Sequence, residues 1–143
     1  MDTNMGEIKV EIHLENFVDR YNFMKKQIRE SEIKRHNMEA IVDTGAVMLS
    51  IPQDAVEKLG LVALRTVIVT YADERKEERP VAAPVYIKIG DRFMITECIV
   101  GPPASEALIG QVILEELDLI ADCQKQTLSP RPESPIYPSL KMK

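Results

Sequence analysis

Residues 38–51 read MEAIVDTGAVMLSI. Ala40-Ile41-Val42 is a short apolar, β-prone run, and Val47-Met48-Leu49 with Ile51 forms a second. Between them stand Asp43, Thr44, Gly45 and Ala46. A carboxylate set into such a run needs an explanation, because an ionised side chain taken out of water without partners costs several kcal/mol. The neighbours supply means of holding it: Thr44 brings a hydroxyl, and Gly45 permits a tight turn and the close passage of another backbone. The stretch reads as a strand, a sharp loop presenting one carboxylate, and another strand. Taken alone, Asp-Thr-Gly is equally a polar β-turn with no chemistry, since so short a motif recurs by chance.

A second segment changes the balance. Near the C-terminus an apolar pair and a glycine, Leu108-Ile109-Gly110, precede the helical run QVILEEL. Ile113, Leu114 and Leu117 there form a core-facing stripe, with Glu115 and Glu116 on the solvated side. Together the two segments resemble the retropepsin-like (retroviral-type, single-domain) aspartic proteases over roughly residues 7–128. The resemblance implies an all-β chain, a closed acid-protease barrel with a flap hairpin and one or two short helices, active as a two-fold homodimer. Asp43 would be the catalytic carboxylate, in an active-site loop completed by Thr44, Gly45 and Ala46. Val47, Tyr71, Ala72, Asp73, Leu108, Ile109 and Gly110 would meet the substrate, a polypeptide in extended conformation. Neither metal nor organic cofactor is implied. No other acid in the chain has a Thr-Gly companion, and no internal repeat supplies a second Asp-Thr-Gly, so the second carboxylate would have to come from a second copy.

The chain departs from the family pattern in several places. Retroviral enzymes carry an Asp where this chain has Val47, and an Arg where it has Gln111; losing both together leaves no orphaned charge. The flap tip, Asp73-Glu74-Arg75-Lys76, has no glycine. The proline-rich C-terminus is a poor source of the interleaved terminal strands that tie retroviral dimers. Val47, Gln111 and the glycine-free flap tip favour an alternative, a catalytically silent module of the same fold that binds peptides or mediates dimerisation. A further alternative is an unrelated small β-barrel in which Asp43 only makes a turn.

The rest of the chain fits one domain with a real core, at 143 residues, 45% hydrophobic and 29% charged. A net charge of −5, and no basic block backed by stacking aromatics, argue against a nucleic-acid partner. No apolar run is long enough to span a membrane and the N-terminus lacks a signal pattern, so a cytoplasmic protein is expected. Cys98 and Cys123 read as buried small hydrophobes of a reduced protein rather than a disulfide framework.

Ile8, Val10, Ile12 and Leu14 alternate with polar residues as in a half-buried strand, which leaves His13 on the solvated face. Residues 16–30 look like an insertion, a short amphipathic helix whose Phe17, Tyr21, Met24 and Ile28 recur at helical spacing as a packing stripe. Pro52 to Lys58 suit a second helix, closed by Gly60 as a left-handed cap. Residues 66–71 and 81–89 are two strands of a long hairpin, with ADERKEERP between them as a charged turn region. Residues 93–100 form a further strand, and 119–121 with 127–128 a last short hairpin. The protease domain is thus expected over 1–128, and residues 129–143 are a proline-rich tail expected to be extended or disordered.

Overall fold

A computed structural model describes residues 7–142. The first six residues of the expected domain and Lys143 of the tail lie outside it. The elements run β1 (Ile8–Asn16), α1 (Phe17–Met24), β2 (Arg35–Val42), β3 (Leu49–Pro52), α2 (Gln53–Leu59), β4 (Val62–Thr70), β5 (Lys76–Ile89), β6 (Arg92–Gly101), β7 (Ala107–Ile109), α3 (Gln111–Leu117), β8 (Leu119–Asp122) and β9 (Thr127–Pro130). A 3₁₀ turn, Glu30–Glu32, joins α1 to β2.

Six strands close a barrel in the order β1-β2-β7-β3-β6-β5, with β1 pairing back onto β5; β4 is added outside β5. The all-β barrel expected from the sequence is therefore present. Among the described residues three short α-helices accompany it, in the three segments where the sequence pattern places helix, one more than the resemblance alone implies. One hydrophobic cluster fills the interior, with Ile12, Leu14, Leu49, Ile51, Val85, Ile87, Ile109 and Ile113 at its centre. The period-two pattern of β1 places Ile8, Ile12 and Leu14 inside. Two parallel pairings make the topology unusual for so small a sheet: β2 lies alongside β7, and β3 alongside β6.

Each helix obeys local rules. α2 ends at Gly60 in the left-handed conformation, as its sequence predicted, and buries Ala55, Val56 and Leu59. α3 buries Ile113, Leu114 and Leu117. α1 differs from expectation, for none of its residues is buried, and Val18, Tyr21 and Met24 are exposed. It is held by polar contacts instead. Asn16 accepts from the Asp19 amide to cap α1, and its own amide group donates to the Leu59 and Gly60 carbonyls at the end of α2. Arg20 grips the buried Glu15 through Nε and Nη2 at 2.6 and 2.8 Å, and stacks near Phe23 and Tyr86. His13, expected to be solvated, joins the same group at 2.7 Å from Glu15 and 2.6 Å from Asn37. Burial pushes the Glu15 carboxyl upward, but the hydrogen bonds and charges of Arg20 and His13 outweigh it, so its pKa falls below the ordinary value.

The long hairpin is β4 and β5, and it turns over only residues 71–75. Lys76–Pro80, expected within a charged turn, are strand, paired from Thr70↔Lys76 to Thr66↔Pro80. The tail beyond β9 has no regular structure. It is nevertheless pinned: Asp118 accepts from Arg131 Nε at 2.8 Å, from the Ser139 amide at 2.9 Å and from the Ser134 hydroxyl. The buried Arg92 donates to the Leu117 and Asp118 carbonyls that end α3, and to the Ser134 carbonyl. Cys98 is buried as expected, but Cys123 is exposed, because it falls in the β8–β9 turn where nothing packs over it.

Candidate active site

Asp43 stands immediately after β2, where that strand runs parallel to β7 with Val42 opposite Ile109. Its amide donates to the Ile109 carbonyl at 2.9 Å, so the last rung of the parallel ladder fixes the start of the loop. Asp43 Oδ1 then accepts the Gly45 amide at 3.0 Å, and the Ala46 amide returns to the Asp43 carbonyl at 3.1 Å. This is an Asx-type turn, with the carboxylate bound to its own loop and still half-buried rather than sealed in.

The loop is locked from the other side by the segment that follows β7. The Gln111 and Val112 amides donate to the Ala46 and Val47 carbonyls at 2.9 and 3.0 Å. The Gln111 side-chain amide donates to the Thr44 carbonyl at 2.9 Å. Gly110 makes this crossing possible. A Cβ at that position would lie 2.7 Å from the Ala46 carbonyl oxygen and 2.8 Å from both the Met48 carbonyl oxygen and the Val47 carbonyl carbon. No side chain fits there. The need for glycine at this position therefore lies in three backbone atoms.

The sequence-predicted site residues do not all gather in one place. Asp43, Thr44, Gly45, Ala46, Leu108, Ile109 and Gly110 form one hydrogen-bonded unit. Within it Ile109 is fully buried and Leu108 half-buried, so Ile109 backs the loop with its carbonyl and turns its side chain to the core. Thr44, Gly45 and Val47 are exposed, Val47 by 66%. Tyr71, Ala72 and Asp73 occupy the hairpin turn, and none of them lines the cavity that reaches Asp43. That cavity, of about 330 Å³, is bounded by Glu7, Ile8, Ile41, Val42, Asp43, Thr44, Ala121 and Cys123. A larger open groove of about 390 Å³, around His13, Asn37 and Lys88, shares no residue with the loop.

Sequence reasoning missed Glu7 and Cys123 as neighbours of the site. Glu7 could have been found from register, since Ile8 pairs with Val42 and the residue before Ile8 must approach Asp43. Cys123 arrives through the β8–β9 turn, which no local pattern connects to Asp43. Among the described residues no group of three or more His, Cys, Asp or Glu side chains could hold a metal ion. One carboxylate on a rigid loop can accept or donate a proton to a bound water, and a second acid beside it would divide the two tasks.

A comparison with protein families matches residues 30–116 to the family described as "gag-polyprotein putative aspartyl protease". The match runs from the 3₁₀ turn before β2 into α3, and so includes both the Asp43 loop and the Gly110 crossing. A comparison with curated proteins finds no match.

Proposed function

This chain belongs to the gag-type aspartyl protease family, and from that membership we propose that it is an aspartic endopeptidase whose active site is completed by a second copy of itself. The observation that carries the reading is the interlock just described: a lone carboxylate on a loop whose backbone is fixed by the Leu108-Ile109-Gly110 segment. In the proposed homodimer Asp43 faces Asp43 of the second copy across a two-fold axis. Two carboxylates about 3 Å apart cannot both ionise readily, so they share one proton and hold a water between them. The ionised member takes a proton from the water as it attacks the peptide carbonyl. The protonated member donates to the carbonyl oxygen as the tetrahedral intermediate forms. The apparent pKa values belong to the pair.

The other residues take supporting roles in this scheme. Thr44, exposed in the single chain, reaches the facing subunit, and Gly45 lets the substrate backbone pass close to the carboxylates. Gln111 stands where a charged residue would brace the site, and its bond to the Thr44 carbonyl holds the loop instead. Val47 and Leu108 offer apolar surface to an extended polypeptide, and the β4–β5 hairpin is the flap. Two features favour a second reading, a silent peptide-binding or dimerisation module: the flap turn is built without glycine, and Gln111 offers substrate no charge.

A peptide-library digest decides between them, comparing the native chain with Asp43→Asn at several pH values. Cleavage favoured at mildly acid pH and abolished by the substitution, with a dimer in solution at the same concentration, is the expected result. Cleavage that survives Asp43→Asn, or a strict monomer that still cleaves, overturns the mechanism.

A further inference from the structure

Beyond the barrel the flap is an arm of two strands. The pairing of β5 with β6 stops at Val81↔Ile99, whereas β4 and β5 continue from Thr66↔Pro80 to Thr70↔Lys76. A two-stranded hairpin has little stability of its own. Residues on its outer face, Thr66, Ile68, Thr70, Lys76 and Glu78, are all exposed, while Val67, Val69, Tyr71, Glu77 and Arg79 on the other face are half-buried. Along that inner face runs a continuous relay. Arg75 lies over the Tyr71 ring at 4.5 Å, and the Tyr71 hydroxyl donates to Glu77 Oε1 at 2.9 Å. Glu77 Oε1 also accepts from Arg79 Nη1 at 3.2 Å, and Arg79 Nε donates to the Val100 carbonyl of β6 at 2.8 Å.

We propose that Arg79 is a positioning residue that latches the flap to the barrel, setting the height of the arm through Glu77 and Tyr71. The inference rests on the protease reading, in which this hairpin covers the substrate. Arg79 suits the task because two separate nitrogens of its planar fork serve the carbonyl and the carboxylate at fixed spacing, whereas a lysine would have to serve both from one nitrogen on a flexible stem. Its side chain is only 18% exposed, so the bond to Val100 is shielded from water. Where a glycine-rich tip would move by backbone flexibility, this arm turns tightly over residues 71–75 and is fixed by side chains. The Val100 carbonyl lies one residue before Gly101, where β6 ends, so the latch is fastened to the rigid part of the barrel.

The test has two arms. In an Asp43→Asn background, which removes cleavage, Arg79→Ala should speed amide hydrogen exchange at least tenfold across residues 66–80 and leave the β1–β2 ladder unchanged. In the active background, Arg79→Ala should lower kcat/KM about tenfold, mainly through KM, with melting temperature nearly unaltered. Arg79→Lys should recover only part of the loss, and Tyr71→Phe should show a smaller effect of the same kind. Flap exchange unchanged by Arg79→Ala, or exchange raised equally throughout the barrel, overturns the latch. Faster flap exchange with kcat/KM within twofold of native overturns the positioning role. A native chain that cleaves no peptide removes the protease reading and with it the positioning role, while the exchange arm alone then decides whether the latch exists.

Discussion

Replacing Gly110 with alanine isolates the crossing on which the site depends. The backbone of Gly110 is extended, with φ −98°, so alanine adopts it without torsional strain. The whole cost must come from overlap. The added Cβ would stand 2.7–2.8 Å from three backbone atoms of residues 46–48, and backbone cannot rotate aside as a side-chain end can. Overpacking of this kind costs about 1–3 kcal/mol. Moving the loop to relieve it also stretches the Gln111–Ala46 and Val112–Val47 bonds, at about 1 kcal/mol each. Together these give about 3–5 kcal/mol, or a fall of roughly 10–15 °C in melting temperature for a domain of this size. Gly90→Ala is the control: nothing lies within 4 Å of its Cβ, and its φ of +59° is the only penalty, about 1 kcal/mol. Thermal unfolding followed by circular dichroism, with urea titration for the free energy, reads both. If Gly110→Ala melts within about 2 °C of native, or no lower than Gly90→Ala, the proposed steric basis of the interlock is wrong.

Three further outcomes follow from the side-chain networks. Arg20→Ala strips the buried Glu15 of its main partner and should destabilise the chain by about 3 kcal/mol, measured by urea unfolding; the double change Glu15→Leu with Arg20→Met should recover most of that loss. The Asp118 carboxyl is held below its ordinary value of 3.8, first by the Ser134 hydroxyl and the Ser139 amide, then by Arg131 and Arg92. Its depressed pKa means that it stabilises the fold above that value and ceases to as pH falls through the folded-state pKa. The melting-temperature gap between native and Asp118→Asn should therefore be full at neutral pH and shrink as the solution is acidified below 3.8, through the lowered folded-state pKa. Burial pushes the Cys98 thiol up to about 12, whereas Cys123 is exposed; a thiol reagent at neutral pH should modify Cys123 alone in the folded chain and both cysteines in denaturant.

The parts of the fold that could be read from sequence are those specified by neighbouring residues. Asp43-Thr44-Gly45 encodes its own turn and Gly60 its own helix cap, because each is decided within a few positions; the crossing at Gly110 joins segments some sixty residues apart and was legible only through the family resemblance. Networks that join distant residues left no such trace. Asn16 ties α1 to the end of α2, and Arg92 ties β6 to α3 and to the tail, across separations no periodicity spans. The stripe on α1 misled because helical spacing shows that a face is apolar without showing what covers it. The charged hairpin misled for the opposite reason. Lys76, Glu77, Glu78 and Arg79 alternate between two faces, but both faces carry charge, so the period of two has no hydrophobic contrast to reveal it.

The interlock also bears on how a half-site can be useful. Four hydrogen bonds pass between the Asp43 loop and the chain around Gly110, those of Asp43, Gln111 (main chain and side chain) and Val112. A loop so tied has little conformational freedom left to lose. On the proposed reading, association of two copies then has to supply orientation and contact, without the added cost of ordering the catalytic loop. The family's usual brace is a charged pair, and here its two positions hold Val47, which is exposed, and Gln111, which is spent on the Thr44 carbonyl. The structure thus transfers bracing from between charged side chains to within one chain's backbone. Such a transfer holds Asp43 in its geometry within a single chain, so that on the proposed reading a partner would meet a loop already in place.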